Sequence, residues 1–285
     1  MDGDGKSDVT VWRPSSGVWY SRLSNISGAY SSAQWGLETD TPVPGDYDGD
    51  LKMDLAVWRR GESAWYILSS LSPGSYMRIP WGIATDRPAP GDYDGDGKTD
   101  VAVWRPEQGI WYILSSQSPG SYTSTRWGIS TDIPVPADYD GDSTFDIAVW
   151  RPDNSIWYIL PSNSPGTYVC IQWGLSTDVP VPGDYDGDGK SDIAVWRPDD
   201  SVWYILSSAA PGSYTSTRWG LSTDTPVSGD YDGDSRNDIG VWRAESSVWY
   251  ILPSANPASF VSVQWGSSTD IPISSLTLIT AQSGD

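Results

Sequence analysis

The residues best suited to chemistry in this sequence are aspartates, which recur in five closely similar nine-residue loops. In every loop they occupy positions 1, 3, 5 and 9, and a backbone carbonyl near position 7 could complete a shell of oxygen atoms. Such oxygens are the ligands that hard cations such as Ca²⁺ prefer. Four carboxylates this close could not all stay ionised without a cation to offset their repulsion. The spacing therefore predicts five calcium sites.

The five loops read DYDGDLKMD at 46–54, DYDGDGKTD at 92–100, DYDGDSTFD at 138–146, DYDGDGKSD at 184–192 and DYDGDSRND at 230–238. The predicted metal ligands are accordingly Asp46, Asp48, Asp50, Asp54, Asp92, Asp94, Asp96, Asp100, Asp138, Asp140, Asp142, Asp146, Asp184, Asp186, Asp188, Asp192, Asp230, Asp232, Asp234 and Asp238. An incomplete sixth loop at 2–8 keeps Asp2, Asp4 and Asp8 but lacks the first aspartate, so we expect a weaker site there.

Two details of the loops refine this prediction. Position 6 is glycine in the loops at 92 and 184 but Leu51, Ser143 or Ser235 in the others, where a sharp left-handed turn would strain a side chain. We therefore expect weaker calcium binding in those three loops. An EF-hand or dockerin loop begins in the same way but needs an acidic twelfth residue and flanking helices, whereas position 12 is valine here in all five copies. A solvated turn would explain one such loop, but not four aspartates in all five.

The loops belong to an internal repeat of 46 residues that fills the sequence. Trp12, Trp19 and Trp35 each recur at this interval, and their six copies use all 18 tryptophans. We predict one domain, 1–285, with repeats at about 1–45, 46–91, 92–137, 138–183, 184–229 and 230–275. A repeat of this length indicates stacked or radially arranged units.

Each repeat contains four runs with the composition of β-strands. In the copy at 92–137 they are DVAVWRP, IWYILSS, YTSTRWGI and DIPVPADYD, which are separated by turn residues. The third run has the polar alternation of an outer strand, and prolines restrict the fourth to an edge or a strand start. Four short strands in each of six repeats predict an all-β, six-bladed propeller. A β-solenoid is the alternative, but such arrays have shorter periods and distinct polar caps.

The order Trp-Gly, DYDGDGKSD and DIAVWRP resembles the FG-GAP or VCBS repeat of integrin-α-like and bacterial β-propellers. Trp173-Gly174 stands where that family has Phe-Gly, and Trp196-Arg197-Pro198 where it has Gly-Ala-Pro. The resemblance covers all six copies, and the replacements suggest a Trp-rich bacterial type. It implies that each loop joins the innermost strand to the second strand of a blade and holds one Ca²⁺.

The two ends of the sequence predict how the ring closes. The first copy lacks an innermost strand, whereas a further strand follows the last copy at 271–281. Pairing this strand with residues 8–13 would close the ring. The missing first aspartate also fits a longer gene, in which Met1 is internal and further blades or a signal peptide precede it.

Arginine and aspartate recur at a fixed register outside the loops. The arginines are Arg13, Arg59, Arg105, Arg151, Arg197 and Arg243, and the aspartates are Asp40, Asp86, Asp132, Asp178, Asp224 and Asp270. We predict that each arginine pairs with one of these carboxylates and ties neighbouring blades. The alternative is a sugar site, in which the arginines lie beside exposed tryptophan and tyrosine. Most tryptophans are expected in the core, between blades.

Composition excludes several kinds of chemistry and several partners. The chain has no histidine and one cysteine, so it offers no imidazole base, internal disulfide, zinc cluster or iron–sulfur site. Its net charge of −20 opposes binding to nucleic acid and to anionic lipid. No apolar run approaches the roughly 20 residues that span a bilayer, and the first residues do not form a secretion signal. Cys170 replaces a serine of sister copies and reads as a neutral substitution.

The function predicted from the sequence is non-catalytic recognition. Departures from the repeat, among them Arg60, Arg78, Arg87 and Phe145, are scattered over different strands and loops and provide no paired carboxylates beyond the metal loops. We predict a calcium-stabilised adhesion or recognition module that binds glycans or a surface protein, as a monomeric propeller or as part of a larger chain. A polysaccharide-lyase-like or other carbohydrate-active enzyme and a structural spacer are the alternatives. Calcium loops of roughly 10⁻⁴ to 10⁻³ M affinity indicate an extracellular or cell-surface location.

Overall fold

A computed structural model describes residues 2–26 and 28–274, which form strands and two single-turn 3₁₀ helices at Pro14–Ser16 and Arg60–Glu62. The strands are β1 (Val9–Arg13), β2 (Val18–Arg22), β3 (Tyr30–Gln34), β4 (Thr41–Pro42), β5 (Leu55–Arg59), β6 (Ala64–Leu68), β7 (Tyr76–Pro80), β8 (Arg87–Pro88), β9 (Val101–Arg105), β10 (Ile110–Leu114), β11 (Tyr122–Arg126) and β12 (Ile133–Pro134). They continue with β13 (Ile147–Arg151), β14 (Ile156–Leu160), β15 (Val169–Gln172), β16 (Val179–Pro180), β17 (Ile193–Arg197), β18 (Val202–Leu206), β19 (Tyr214–Arg218), β20 (Thr225–Pro226), β21 (Ile239–Arg243), β22 (Val248–Leu252), β23 (Val261–Gln264) and β24 (Ile271–Ile273).

These strands form six antiparallel sheets of four strands each, one for every repeat. Residues 35–172 make one compact unit with the sheets β4-β5-β6-β7, β8-β9-β10-β11 and β12-β13-β14-β15. The second unit combines residues up to 34 with those from 173 onward, and its sheets are β16-β17-β18-β19, β20-β21-β22-β23 and β24-β1-β2-β3. The fold is the all-β, six-bladed propeller that the repeat predicts.

The last blade is completed by both ends of the chain. Strand β24 pairs antiparallel with β1, where Thr10 lies opposite Ile273 and Trp12 lies opposite Ile271. The predicted closure by a C-terminal strand is thus confirmed for residues 271–273. The part of that predicted strand at 275–281 lies outside the described residues.

Within a blade, side-chain type determines which face each strand buries. Strands β9 and β10 place Trp104 directly opposite Trp111, and both rings are fully buried with their centroids 6.5 Å apart. Val149 of the following blade packs against the same pair. The tryptophans that recur with Trp12 and Trp19 are all buried, whereas those that recur with Trp35 are half-buried. Paired aromatic rings therefore fill the space between blades, as predicted.

The fourth predicted strand is much shorter than its run of residues. In the copy at 92–137 only Ile133 and Pro134 form β12, and the backbone then enters the next acidic loop. Proline cannot donate a ladder hydrogen bond, so the run contributes a short first strand to the following sheet. The acidic loops consequently join the first and second strands of one sheet, as the family resemblance implies.

All six predicted arginine–aspartate pairs form. Arg105 is typical: its Nε and Nη2 donate to the two carboxylate oxygens of Asp86 at 2.7 and 2.9 Å. Asp86 lies just before β8 and Arg105 ends β9, so both residues belong to one sheet. The prediction that these pairs tie neighbouring blades is therefore wrong. Each pair instead fixes the segment that enters a blade to the second strand of that same blade.

Candidate metal centres and aromatic surface

The fold brings three carboxylates together in each of the five complete loops. Within every group, one oxygen atom from each aspartate lies within 4.8 Å of the others. The groups are Asp46, Asp48 and Asp50; Asp92, Asp94 and Asp96; Asp138, Asp140 and Asp146; Asp184, Asp186 and Asp192; and Asp230, Asp232 and Asp234. Positions 1 and 3 thus contribute in all five loops, whereas the third member is position 5 or position 9.

The aspartate at position 1 shapes the loop around itself. In the loop at 92–100, Asp92 accepts hydrogen bonds from the backbone N–H of Gly95 at 2.7 Å and of Gly97 at 2.8 Å. Gly97, at position 6, has a left-handed φ of 82°. Leu51 and Ser143 hold the same position in their loops with φ of 63° and 69°. The left-handed turn expected at position 6 is therefore present even where a side chain must adopt it.

The aspartate at position 9 is buried and bonded to the backbone. Asp100 accepts the N–H of Tyr93 at 2.8 Å with one oxygen and the N–H of Ser116 at 2.7 Å with the other. Burial raises the pKa of the position-9 carboxyl group in all five complete loops, and it raises the pKa of Asp146 to about 6. Position 9 therefore connects the loop to the sheet in addition to any part in binding a cation.

Serines that the sequence reasoning missed complete the loops. Ser116 also donates its Oγ–H to Asp96 at 3.0 Å, and Ser115 donates to Asp94. Serine occupies the register of Ser116 in all six copies, which was the available signal in the sequence: Ser24, Ser70, Ser116, Ser162, Ser208 and Ser254. A short turn after the third strand of each sheet thus orients the carboxylates at positions 3, 5 and 9.

The Asp94 carboxylate indicates that the loop at 92–100 is suited to a cation. Asp94 Oδ1 is buried and, among the described residues, has no hydrogen-bond partner, while its Oδ2 accepts from Ser115 and from the N–H of Gln117. A buried carboxylate oxygen without a donor is costly. One oxygen of Asp94 lies within 4.8 Å of an oxygen of Asp92 and of Asp96, so a cation bound by this group would offset the repulsion among the three charges. The donor set, made of oxygen atoms, fits Ca²⁺.

The incomplete loop at 2–8 keeps part of this arrangement. Asp8 accepts the N–H of Asp2 at 3.1 Å and the N–H of Ser24 at 2.8 Å, as position 9 does elsewhere. Ser24 Oγ donates to Asp4 at 2.9 Å. Within residues 2–26 and 28–274, however, Asp2, Asp4 and Asp8 do not form a carboxylate group like those of the five complete loops.

A second repeated feature is an exposed aromatic surface along the outer strands. The half-buried tryptophan of each Trp-Gly pair contacts an aromatic ring from the outer strand region of the next blade. The ring pairs are Tyr30 with Trp265, Tyr76 with Trp35, Tyr122 with Trp81, Tyr168 with Trp127, Tyr214 with Trp173 and Phe260 with Trp219, at centroid distances of 5.4 to 5.9 Å. The tyrosine and phenylalanine members are 55 to 65% exposed.

The paired arginines lie close to this surface. Each guanidinium stacks on a tyrosine of the neighbouring strand; for example, Arg105 Cζ lies 4.5 Å from the centre of the Tyr112 ring. Trp81 Nε1 donates to the Tyr112 carbonyl oxygen at 3.2 Å. The arginines thus have the structural pairing that was predicted, and they also lie beside half-exposed aromatic rings, as the sugar-site alternative requires.

Arg78, which departs from the repeat, contacts other polar residues of the same blade. Arg78 on β7 donates its Nε–H to Tyr66 Oη at 3.0 Å, and its Nη2 lies 3.3 Å from Glu62 Oε2. Tyr66 donates to the same Glu62 carboxylate at 2.6 Å, and Arg59 contacts it from the other side. The second blade therefore carries an exposed cluster of tyrosine, glutamate and two arginines.

Comparison with known proteins supports the repeat and the fold. A family model described as FG-GAP-like repeat matches residues 46–103 and 92–149. No curated protein sequence matches the chain significantly. A lectin of Agrocybe aegerita, described as recognising non-reducing terminal N-acetylglucosamine, superposes with a TM-score of 0.59 at 15% identity, over 91% of this chain and 76% of the lectin chain.

Two further solved structures share the fold at low identity. A streptogramin B lyase has a TM-score of 0.56 at 9% identity, over 91% of this chain and 83% of its own. BBS1N, solved in complex with ARL6DN, has a TM-score of 0.56 at 13% identity, over 96% and 86%. Among the described residues, no helix has the length and apolar character needed to cross a bilayer. The chain is therefore a six-bladed β-propeller, in which residues 46–149 match the FG-GAP-like repeat.

Proposed function

We propose that this propeller is a calcium-stabilised recognition module that acts outside the cell and binds glycans or a surface protein without catalysis. The observation that carries this proposal is the sixfold exposed aromatic surface. Six large rings that stay 55 to 65% exposed at one register are difficult to explain by folding alone, because blades gain stability by burying such rings.

Aromatic rings of this kind suit sugar binding. The apolar face of a sugar ring can stack on tyrosine or tryptophan, and a neighbouring arginine can donate to hydroxyl oxygens. Six similar sites on one molecule would add avidity for a ligand that carries several copies of one sugar. The structural similarity to a lectin of the same fold agrees with this proposal but supports only the fold at 15% identity.

In this proposal calcium stabilises the propeller and takes no part in a chemical reaction. The three carboxylates of each loop, with the buried Asp94 Oδ1 as the clearest example, would bind the ion at the end of the first strand of a sheet. The ion supplies positive charge there, while the turn that contains Ser116 and its equivalents, together with the position-9 aspartate, holds the loop to the sheet. FG-GAP repeats are typical of extracellular proteins, and calcium is abundant outside the cell.

Two measurements test the proposal. Thermal melting with calcium and with a chelator should give a clearly higher Tm with calcium, since a ligand that binds only the folded state stabilises it. A glycan array probed in calcium should give binding that falls after Tyr122→Ala and Tyr168→Ala, two changes in exposed rings. Equal Tm values would contradict the metal assignment, and an array without signal would leave a surface protein or a spacer as the remaining function.

The cluster around Tyr66 favours one enzymatic alternative. A tyrosine between an arginine and a carboxylate could remove or deliver a proton in a lyase acting on an acidic polysaccharide. Such a reaction leaves an unsaturated product that absorbs in the ultraviolet. Incubation with polygalacturonate and with hyaluronate should give no rise in absorbance if the module is non-catalytic. A rise that Tyr66→Phe abolishes would establish the enzyme instead.

A further inference from the structure

The six arginine sites are similar but not equivalent, and the difference lies in the hairpin that follows each arginine. Five of these hairpins carry an acidic residue: Glu62, Glu107, Asp153, Asp200 with Asp199, and Glu245. The hairpin after Arg13 reads Pro-Ser-Ser-Gly and carries none. Arg13 is accordingly the repeat arginine whose following hairpin contains no acidic residue.

In the structure the hairpin acid contacts the repeat arginine at two of these five sites. Arg59 Nη1 lies 3.2 Å from Glu62, and Arg197 Nη1 lies 4.0 Å from Asp200. Arg13 donates its Nε and Nη2 to Asp270 at 2.8 and 2.9 Å, and among the described residues its Nη1 contacts no acidic group. The side chain of Arg13 is 31% exposed, compared with 17 to 23% for its five counterparts. One edge of this guanidinium is therefore available to a ligand.

This edge borders a shallow cleft with a volume of about 270 Å³. The cleft is lined by Arg13, Tyr20, Gln264, Trp265 and Gly266. Its walls are fixed before any ligand arrives: the guanidinium lies 4.6 Å from the centre of the Tyr20 ring, and Trp265 Nε1 donates to the Tyr20 carbonyl oxygen at 3.1 Å. A rigid arginine loses little side-chain entropy when it binds.

The lining is suited to one sugar residue. Trp265 offers an aromatic ring, and the exposed Tyr30 ring lies beside it at 5.9 Å. Arg13 Nη1 can donate to a hydroxyl or carbonyl oxygen, while the exposed amide of Gln264 can both donate and accept. A free anion is disfavoured, because Asp270 already neutralises Arg13 and the chain has a net charge of −20.

We propose that this cleft, at the blade that joins the two ends of the chain, is the preferred binding subsite for a neutral sugar residue. The inference rests on the proposed glycan-binding function and names its principal site. The five other arginine sites bind the same sugar more weakly, because a hairpin acid contacts the guanidinium at Arg59 and Arg197 and because all five arginine side chains are less exposed than that of Arg13.

The first test adds an acidic residue to the hairpin that follows Arg13. Ser16 stands at the register of Glu62 and Asp200, so Ser16→Glu should place a carboxylate beside Arg13 Nη1, whereas Ser16→Gln adds a similar volume without charge. The probes are methyl glycosides of glucose, galactose, mannose and N-acetylglucosamine, with methyl glucuronide as the charged probe. Calorimetry in calcium should show that Ser16→Glu weakens the strongest neutral interaction about tenfold, which corresponds to one hydrogen bond to a charged donor, while Ser16→Gln does not.

Two further variants separate the cleft from the rest of the surface. Gln264→Ala should weaken binding, whereas Gln172→Ala, at the same register of another blade, should not. Asp200→Ser should strengthen a weaker site by freeing Arg197. Unchanged binding by both Ser16→Glu and Gln264→Ala would overturn the inference alone, as would a preference for the glucuronide. If the wild-type protein binds none of the probes and no glycan on the array, both the inference and the proposed function fail. Melting curves in calcium verify that each variant is folded.

Discussion

The backbone N–H of Thr99 donates to the carbonyl oxygen of Asp46 at 2.6 Å, which joins position 8 of one acidic loop to position 1 of the preceding loop. Phe145 makes the same bond to Asp92. The loops at 46, 92 and 138 are thus linked in series within one compact unit. An ion that orders one loop should therefore favour the bound conformation of the next.

From this link we predict cooperative calcium binding. Asp94→Asn in the middle loop should remove one site and lower the affinity of the loops at 46 and 138 several-fold, because their shared hydrogen bonds no longer join two ordered loops. Calcium titration against a competing chelator dye measures both stoichiometry and affinity. Loss of one site with unchanged affinity at all others would contradict the coupling.

The position-9 and position-3 aspartates should respond differently to substitution. Asp100→Asn replaces an oxygen with an amide nitrogen that cannot accept the N–H of Tyr93 or of Ser116, so the calcium-free protein should lose about 1–3 kcal/mol of unfolding free energy. Asp94→Asn removes a charge from a repulsive group and should not destabilise the calcium-free protein. Urea unfolding in chelator compares the two, and equal losses would show that both residues act in the same way.

Substitution at position 6 tests whether backbone strain weakens the loops that lack glycine there. Leu51→Gly and Ser143→Gly should each stabilise the protein by up to about 1 kcal/mol, since glycine adopts a positive φ without strain. The reverse change, Gly97→Ser, should destabilise it by a similar amount. Urea unfolding and calcium titration of the same variants would show whether affinity follows backbone strain.

The buried carboxylates predict a pH dependence for the calcium-free protein. Burial raises the pKa of Asp146 to about 6, above the value of about 4 for an unfolded chain. The folded state therefore binds the proton more tightly, and stability due to this group rises as the pH falls from about 6 to about 4. In calcium the ion competes with the proton, so the difference in Tm between calcium and chelator should shrink as the pH is lowered from 7.5 to 5. A difference that grows over this range would contradict the prediction.

The arginine–aspartate pairs should matter far more than exposed ion pairs. Arg151→Met leaves the fully buried Asp132 carboxylate without its guanidinium and should cost about 3–5 kcal/mol. Arg78→Met, which breaks a pair whose side chains are both more than 40% exposed, should cost less than about 1 kcal/mol. Urea unfolding in calcium measures both, and comparable losses would indicate that the buried pairs contribute little.

The sequence predicts the fold almost completely because a single 46-residue repeat determines the order of the strands. Every copy repeats the same tryptophans and five copies repeat the complete acidic loop, so strand number and strand order follow from a single unit, while the closing pair follows from the two ends of the sequence. Pro134 shows the limit: proline content indicates an edge position, but the length of β12 depends on where the backbone turns into the next loop.

The metal loops are also predicted, but the division of roles within them is not. All four aspartates of a loop look alike in sequence, whereas in three dimensions Asp100 bonds to backbone donors and Asp94 Oδ1 is buried without a hydrogen-bond partner among the described residues. One of these donors is the N–H of Ser116, which lies sixteen residues beyond Asp100 and across two strands. Such a contact depends on register, and so does the meeting of Arg78 with Tyr66.

The pairing of β24 with β1 has a mechanical consequence. Ile273 lies beside Thr10, so the C-terminal end of β24 adjoins the N-terminal end of β1. Opposite forces applied at residues 8 and 274 would load the ladder hydrogen bonds one after another instead of all together. The two strands would unzip at low tension, and the blade that they complete would be the first to open in a protein stretched between two attachments.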